Sequence, residues 1–264
     1  MAKVRSRTTL DIWGDVIFAI FLREVKNKSN DKLGIAWSVI SPVAFIFMLS
    51  YFRGRMDGGE THGIPTFFFM VFGMVQVQFF LSTLSATSYS IKKNKPLYAF
   101  RQVQPISSLI AISGLEFLIQ VFIILVLGVI AYFLRMPFYF YDPLEVITLV
   151  LRVWLLATSL GLMCSLATCF VPEVDRLRSL AMRPMFFLSG IFFSLQDIPQ
   201  EYWIYVIWNP LLHAVELTRQ AATPTITLQQ QVIFTSTSSP CSAYFLHLLA
   251  TKRAGSARSA ARAS

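Results

Sequence analysis

Apolar residues run through this chain in blocks too long for an ordinary soluble fold. Leu33–Phe52 is 20 residues without a charge, and Ile64–Tyr89 is 26. Ile106–Leu134 is broken only by Glu116, and Pro143–Val171 carries Arg152 well inside it. A helix rises about 1.5 Å per residue, so about 20 residues cross a hydrocarbon core of about 30 Å. Membrane-spanning helices are therefore expected at about 33–52, 64–89, 106–134 and 143–171. A fifth is expected at about 177–196 and a sixth at about 226–250, the last weakened by Gln229–Gln231 and Thr235–Ser239.

Between the fifth block and Arg219 the pattern breaks twice, at Asp197–Glu201 and at Asn209-Pro210. The apolar piece left between them, Tyr202–Trp208, has seven residues. Seven helical residues cover only about 10 Å, so this piece cannot cross. Short helices resting at one membrane face are expected instead, where tryptophan and tyrosine favour the interface.

Composition agrees with the pattern. Of 264 residues, 55% are apolar and 14% charged, where a globular chain has about a quarter charged. The net charge of +9 raises nucleic acid as a partner, so the positions of the charges decide the matter. Eighteen of the 23 Lys and Arg residues fall in four short polar stretches, 3–32, 92–101, 176–183 and 252–262. That is the positive-inside pattern of a multi-pass membrane protein with both termini cytoplasmic, and it removes the case for nucleic acid. Residues 1–32 read as a basic arm with an interfacial helix, burying Leu10, Trp13, Ile17, Ile20 and Phe21 while Asp11, Asp15 and Lys26 stay wet. Residues 33–250 form the transmembrane domain, and 251–264 a basic small-residue tail expected to be disordered.

Catalytic chemistry is sought and not found. There is no G-x-x-x-x-G-K-[ST] loop, so no ATP site of that kind. His62, His213 and His247 are isolated, with no metal-ligand spacing, and Cys164, Cys169 and Cys241 suggest no disulfide framework. Ser189-Gly190 resembles a membrane protease serine, but Phe187 stands where that motif has glycine. No catalytic residue, metal or cofactor of this chain's own is expected. Glu116 and Arg152 have opposite sign in consecutive antiparallel spans, and each costs about 2.5–3.5 kcal/mol to insert, so they are expected to pair. In Ser90–Gln104, Pro96 and Pro105 bracket Leu97–Gln104, long enough for two helical turns, which reads equally as a contact for a cytosolic partner or as an ordinary connector. Phe67, Phe68, Phe69, Phe72, Phe79 and Phe80 read as packing surface or as the lining of a pathway.

Three landmarks then converge. Leu33-Gly34-x-x-Trp37-x-x-x-x-Pro42, Pro184-x-x-x-x-Ser189-Gly190, and Asn209-Pro210 with Glu216 and Arg219 together resemble the membrane subunits of ABC-type polysaccharide exporters, the capsular polysaccharide export permease of Gram-negative bacteria above all. The resemblance implies an all-α, six-span permease with an N-terminal interfacial helix and outer re-entrant helices. It implies a homodimer in the bacterial inner membrane, bound to two ATP-binding cassette subunits that hold ATP and Mg. It would export a lipid-linked acidic polysaccharide towards periplasmic and outer-membrane export proteins. By the same resemblance Lys92, Lys93, Asn94, Pro96, Leu97 and Tyr98 would couple to the ATPase, and Leu10, Trp13, Ile17 and Arg23 would belong to a gate helix. Trp37, Phe79, Phe80, Tyr202, Trp203 and Trp208 are expected along the substrate path, since apolar sugar faces stack on flat rings and still slide. O-antigen, teichoic-acid or drug export is the nearest alternative. A membrane-bound transferase or a scaffold subunit stands further off.

Overall fold

The computed structural model describes residues 9–29, 34–56, 58, 60–61, 64–99, 103–135, 141–203 and 209–222. In chain order these form α1 (Thr9–Ser29), α2 (Gly34–Met56), β1 (Glu60–Thr61), β2 (Ile64–Pro65), α3 (Thr66–Ser88), α4 (Ser90–Lys93), α5 (Pro105–Phe133), α6 (Pro143–Phe170), α7 (Glu173–Leu188) and α8 (Pro210–Ala222). The two strands pair antiparallel as a minimal hairpin. That hairpin marks one end of the helical bundle, and the lysine-rich turn at α4 marks the other, called here the basic end.

Four helices among the described residues are long and apolar enough to cross a membrane: Ala36–Met56, Thr66–Ser88, Pro105–Phe133 and Pro143–Phe170. They match the first four expected spans. The stretch expected as the fifth, 177–196, does not continue as one helix, because α7 stops at Leu188. Its 16 residues reach about 24 Å, short of the hydrocarbon thickness. The stop is local: Ser189 is the C-cap, and Gly190 takes φ +72°, a left-handed conformation that glycine adopts without Cβ strain. The expected sixth span 226–250, the tail 251–264, residues 1–8, Leu33 and Trp208 lie outside the described residues.

The bundle is built around α3. Of its apolar window 72% is buried within the protein, against 17% for α2, so α3 is the axis and α2 lies on the rim. One face of α3, through Phe79, Phe80 and Leu84, packs on Leu149, Val153, Leu156 and Ala157 of α6. The other, through Phe67, Phe68, Val71 and Met74, packs on α2 and α5. Helices in lipid gain little from apolarity alone and need close approach, which small residues permit. Gly161 of α6 supplies it, since a Cβ there would overlap the side chain of Thr87.

Candidate functional site

Along one side of α3, a groove of about 1010 Å³ opens between α2, α3, α5 and α7. From α2 it is lined by Trp37, Ser38, Ser41, Pro42 and Phe45, and from α3 by Gln78, Leu81, Ser82, Ser85, Ala86 and Tyr89. Helix α5 contributes Glu116, Ile119, Gln120 and Ile123; Arg178 and Phe186 come from α7, and Lys28 from the end of α1. The α2 and α3 residues all belong to the halves of those helices nearer the basic end. Gln78, Ser82, Ser85 and Tyr89 fall three or four apart, which puts them on one helical face. A polar stripe at membrane depth costs free energy unless it packs on polar partners or faces a wet cavity, and this one faces the groove. Hydroxyls, amides, three charges and four aromatic rings share one surface.

Two expectations are corrected here. Glu116 does not meet Arg152; its Oε1 accepts from Lys28 Nζ at 2.6 Å. The reason is depth. Glu116 lies 11 residues into α5 from its start at Pro105, and Arg152 lies 18 residues before the end of α6 at Phe170, both counted from the basic end. At about 1.5 Å per residue, that offset of seven residues separates their levels by about 10 Å. Phe79 and Phe80, expected on the substrate path, are 1% and 0% exposed in the α3–α6 core and do not line the groove. Phe80 lies across α3 from the polar stripe and Phe79 on its flank, both turned to α6. Trp37 does line the groove and is 63% exposed.

At the basic end, α1 and the turn after α3 are tied together. The apolar side of α1 follows Trp13, Ile17 and Ile20, and the charged Glu24 and Lys28 continue the same face. Trp13 Nε1 donates to Ser107 Oγ at 2.8 Å. Arg23 donates to Asn94 Oδ1 and, at 3.2 Å, to Glu24 Oε1; Glu24 also receives Lys93. Glu24 and Asn94 are buried, while Lys92, Lys95 and Pro96 stand exposed beside them. Tyr98 Oη and Ser108 Oγ are 2.6 Å apart. Burial pushes the Tyr98 hydroxyl above its ordinary value, with the Ser108 bond pulling the other way, so it stays protonated and able to donate. Among the described residues the helical turns of this stretch are α4 and a 3-10 turn at Lys95–Ala99; residues 100–102 of the expected Leu97–Gln104 segment lie outside the described residues. Gln104 is extended, at φ −98° and ψ 145°, because the ring of Pro105 disfavours helical geometry in the residue before it. Leu97 is half-buried in the 3-10 turn, and Leu10 lies in the first turn of α1.

At the far end of α7 a second cluster fixes the broken chain. Asn209 caps α8, its Oδ1 accepting from the Leu211 N–H at 3.0 Å with Pro210 as the first helical residue. Its Nδ2 donates to Leu188 O at 3.2 Å and to Ser189 Oγ at 3.3 Å, which closes the break on itself. Arg219, wholly buried, donates to the carbonyls of Phe69 (3.2 Å), Ile191 (3.1 Å) and Phe193 (3.4 Å) and to Glu216 Oε1 (3.3 Å). Its guanidinium sits 3.5 Å from the Phe69 ring centroid, and Glu216 also accepts from the Leu195 N–H at 3.1 Å. Gly73 of α3 leaves the room, since a Cβ there would stand 2.9 Å from Arg219 Nη2. Tyr202 is exposed near this end, and Trp203 Nε1 donates back to Ile198 O at 2.9 Å; neither lines the groove. Gly34 opens α2, and Pro42 lies within it without ending the helix.

Sequence reasoning missed the serine and glutamine stripe of α3 and the Lys28–Glu116 pair. The stripe's signal was present, as polar residues at three- and four-residue spacing inside a charge-free block. Among the described residues no group of three or more His, Cys, Asp or Glu could hold a metal.

Comparison with known proteins adds to this geometry. The ABC-2 type transporter family matches residues 15–222. The polysialic acid transport protein KpsM of Escherichia coli is 29% identical over 220 residues, covering 83% of this chain and 85% of that protein. The capsule polysaccharide export inner-membrane protein CtrC of Neisseria meningitidis is 27% identical over 223 residues, 77% of each chain. The O-antigen export system permease protein RfbA of Klebsiella pneumoniae is 25% identical over 216 residues, 79% of this chain and 80% of that one.

Proposed function

Because the chain belongs to the ABC-2 type transporter family, we propose that it is the permease subunit of an ATP-driven exporter of capsular polysaccharide, moving a lipid-linked acidic chain from cytoplasm to periplasm. The observation that carries this reading is the groove: rings, hydroxyls and amides on one surface suit a sugar chain held by many weak contacts. Similarity to KpsM and CtrC, whose names state polysialic acid transport and capsule polysaccharide export, supports that cargo. Similarity to RfbA supports O-antigen export as the second reading.

The charges orient it. Lys92, Lys93 and Lys95 cluster at the end of the bundle nearer the groove, and the positive-inside rule supports a cytoplasmic placing of that end. Cargo then loads from the cytoplasm, in the inner membrane, with both termini on the cytoplasmic side. Two copies of the permease would work with two ATP-binding cassette subunits, which carry the ATP and Mg. The exposed surface of Lys92, Lys95 and Pro96 is where those subunits would push. Periplasmic and outer-membrane export proteins would receive the product.

Deleting the gene from its host and assaying surface polysaccharide tests the cargo. Loss of capsule with intracellular polymer accumulation is expected, restored by the wild-type gene. Loss of O-antigen with capsule intact selects the second reading. In the purified complex, substituting Lys92, Lys95 and Pro96 is expected to weaken ATPase association; unchanged association and hydrolysis would remove the coupling assignment.

A further inference from the structure

Among the described residues Lys28 is the one lysine that lines the groove, and its ammonium is only partly spent. An ammonium carries three N–H donors, and among the described residues Lys28 gives one to Glu116, at 2.6 Å. The remaining donors lie on a side chain 32% exposed at the groove wall. Trp37, which also lines the groove, presents a ring that is mostly uncovered. Glu116 is nearly buried, with 10% of its side chain exposed. A carboxylate in that position holds the Lys28 ammonium in place, and it repels any second anion brought to the same group.

We infer that Lys28 and Trp37 form an anionic-sugar subsite in which Lys28 takes the oxyanion of the cargo, Trp37 stacks on a sugar ring, and Glu116 is a resident competitor that weakens this binding. The inference rests on the reading of the groove as a polysaccharide path, and it names the charge class that the path selects. The oxyanion is a carboxylate on the sugar or a phosphate at the lipid end; both accept N–H donors in the same way. Binding brings a second acceptor to Lys28, so Glu116 and the cargo share one cation. The competitor keeps the contact weak, which suits a chain that must move on.

The prediction has opposite signs for the two partners, and a merely structural ion pair would not produce that. Removing Lys28 deletes a charge-assisted bond, on the order of tenfold in affinity. Removing the charge of Glu116 deletes the competitor and strengthens binding.

The test is binding to the purified full-length protein in lipid nanodiscs, read by tryptophan fluorescence and by calorimetry. The probes are penta-galacturonate, maltopentaose as its neutral counterpart, and a short-chain phosphatidic acid for the phosphate source. Expected results are tighter binding of at least one acidic probe than of maltopentaose, a loss of about tenfold for that probe with Lys28→Gln, recovery with Lys28→Arg, and a severalfold gain with Glu116→Gln. Maltopentaose affinity is expected to be insensitive to both charge changes and to fall with Trp37→Ala. Which acidic probe responds identifies the source. Weaker acidic binding in both the Lys28→Gln and Glu116→Gln proteins would overturn the inference and leave a structural pair. Equal binding of acidic and neutral probes would overturn it while the polysaccharide reading stands. Binding of none of the three probes would overturn both.

Discussion

Arg219 shows how a strongly basic side chain is kept inside this protein. Its guanidinium satisfies three backbone carbonyls and Glu216, so it closes a loop end, a helix start and a span into one unit. Removing one partner of a buried pair leaves the other charge uncompensated, at a cost of about 3–5 kcal/mol. Arg219→Met is therefore expected to lower the thermal midpoint of the purified protein sharply, with part of the loss recovered when Glu216→Gln is added. An unchanged midpoint would show that the cluster is dispensable. Glycines give a paired contrast. At Gly161 a Cβ would overlap Thr87, so Gly161→Ala is expected to destabilise by about 1–3 kcal/mol. At Gly114 nothing lies within 4 Å, so Gly114→Ala should be neutral or gain about 0.5–1 kcal/mol of helix stability. Thermal unfolding of the two variants side by side checks both.

At the level of elements, α1 is a strap with contacts at both ends. Trp13 meets Ser107 and Lys28 meets Glu116, so its contacts advance nine residues along α5, about 14 Å, from the basic end to the groove wall. In between, Arg23 and Glu24 hold Asn94 and Lys93, beside the proposed ATPase surface. Motion at the turn would thus reach the groove through one helix. Glu24→Gln with Lys93→Ala is expected to cut polymer export severalfold while ATP hydrolysis by the assembled complex persists; a parallel fall in both would place the fault in assembly instead. The four long spans were legible because each is an apolar block of sufficient length with few or no charges inside it. The partners of Glu116 and the register of the turns near Pro96 were not, since they depend on relative helix depth and on the backbone restriction before Pro105. The groove face of α3 was hidden for a similar reason. Its phenylalanines are conspicuous in sequence, yet packing against α6 consumes Phe79 and Phe80 and leaves the quieter serines facing the cavity.

For the whole molecule, the groove lies in the half of the bundle nearer the lysine cluster, and the β1–β2 hairpin occupies the opposite end. Cysteine labelling in intact cells tests the orientation, starting from protein whose three native cysteines are replaced. Gly58→Cys is expected to react with an impermeant maleimide from outside once the outer membrane is permeabilised, whereas Pro96→Cys should react only after lysis. Reversed labelling would invert the proposed direction of transport. The buried Arg219 also has a consequence for biogenesis. Its carbonyl partners belong to α3 and to the segment after α7, and α8 itself carries Glu216 and Arg219 within 13 residues. Such a helix has no reason to leave water until those carbonyls are already in place. Among the described helices α8 is therefore expected to seat last, after α3 and the segment following α7 are in place.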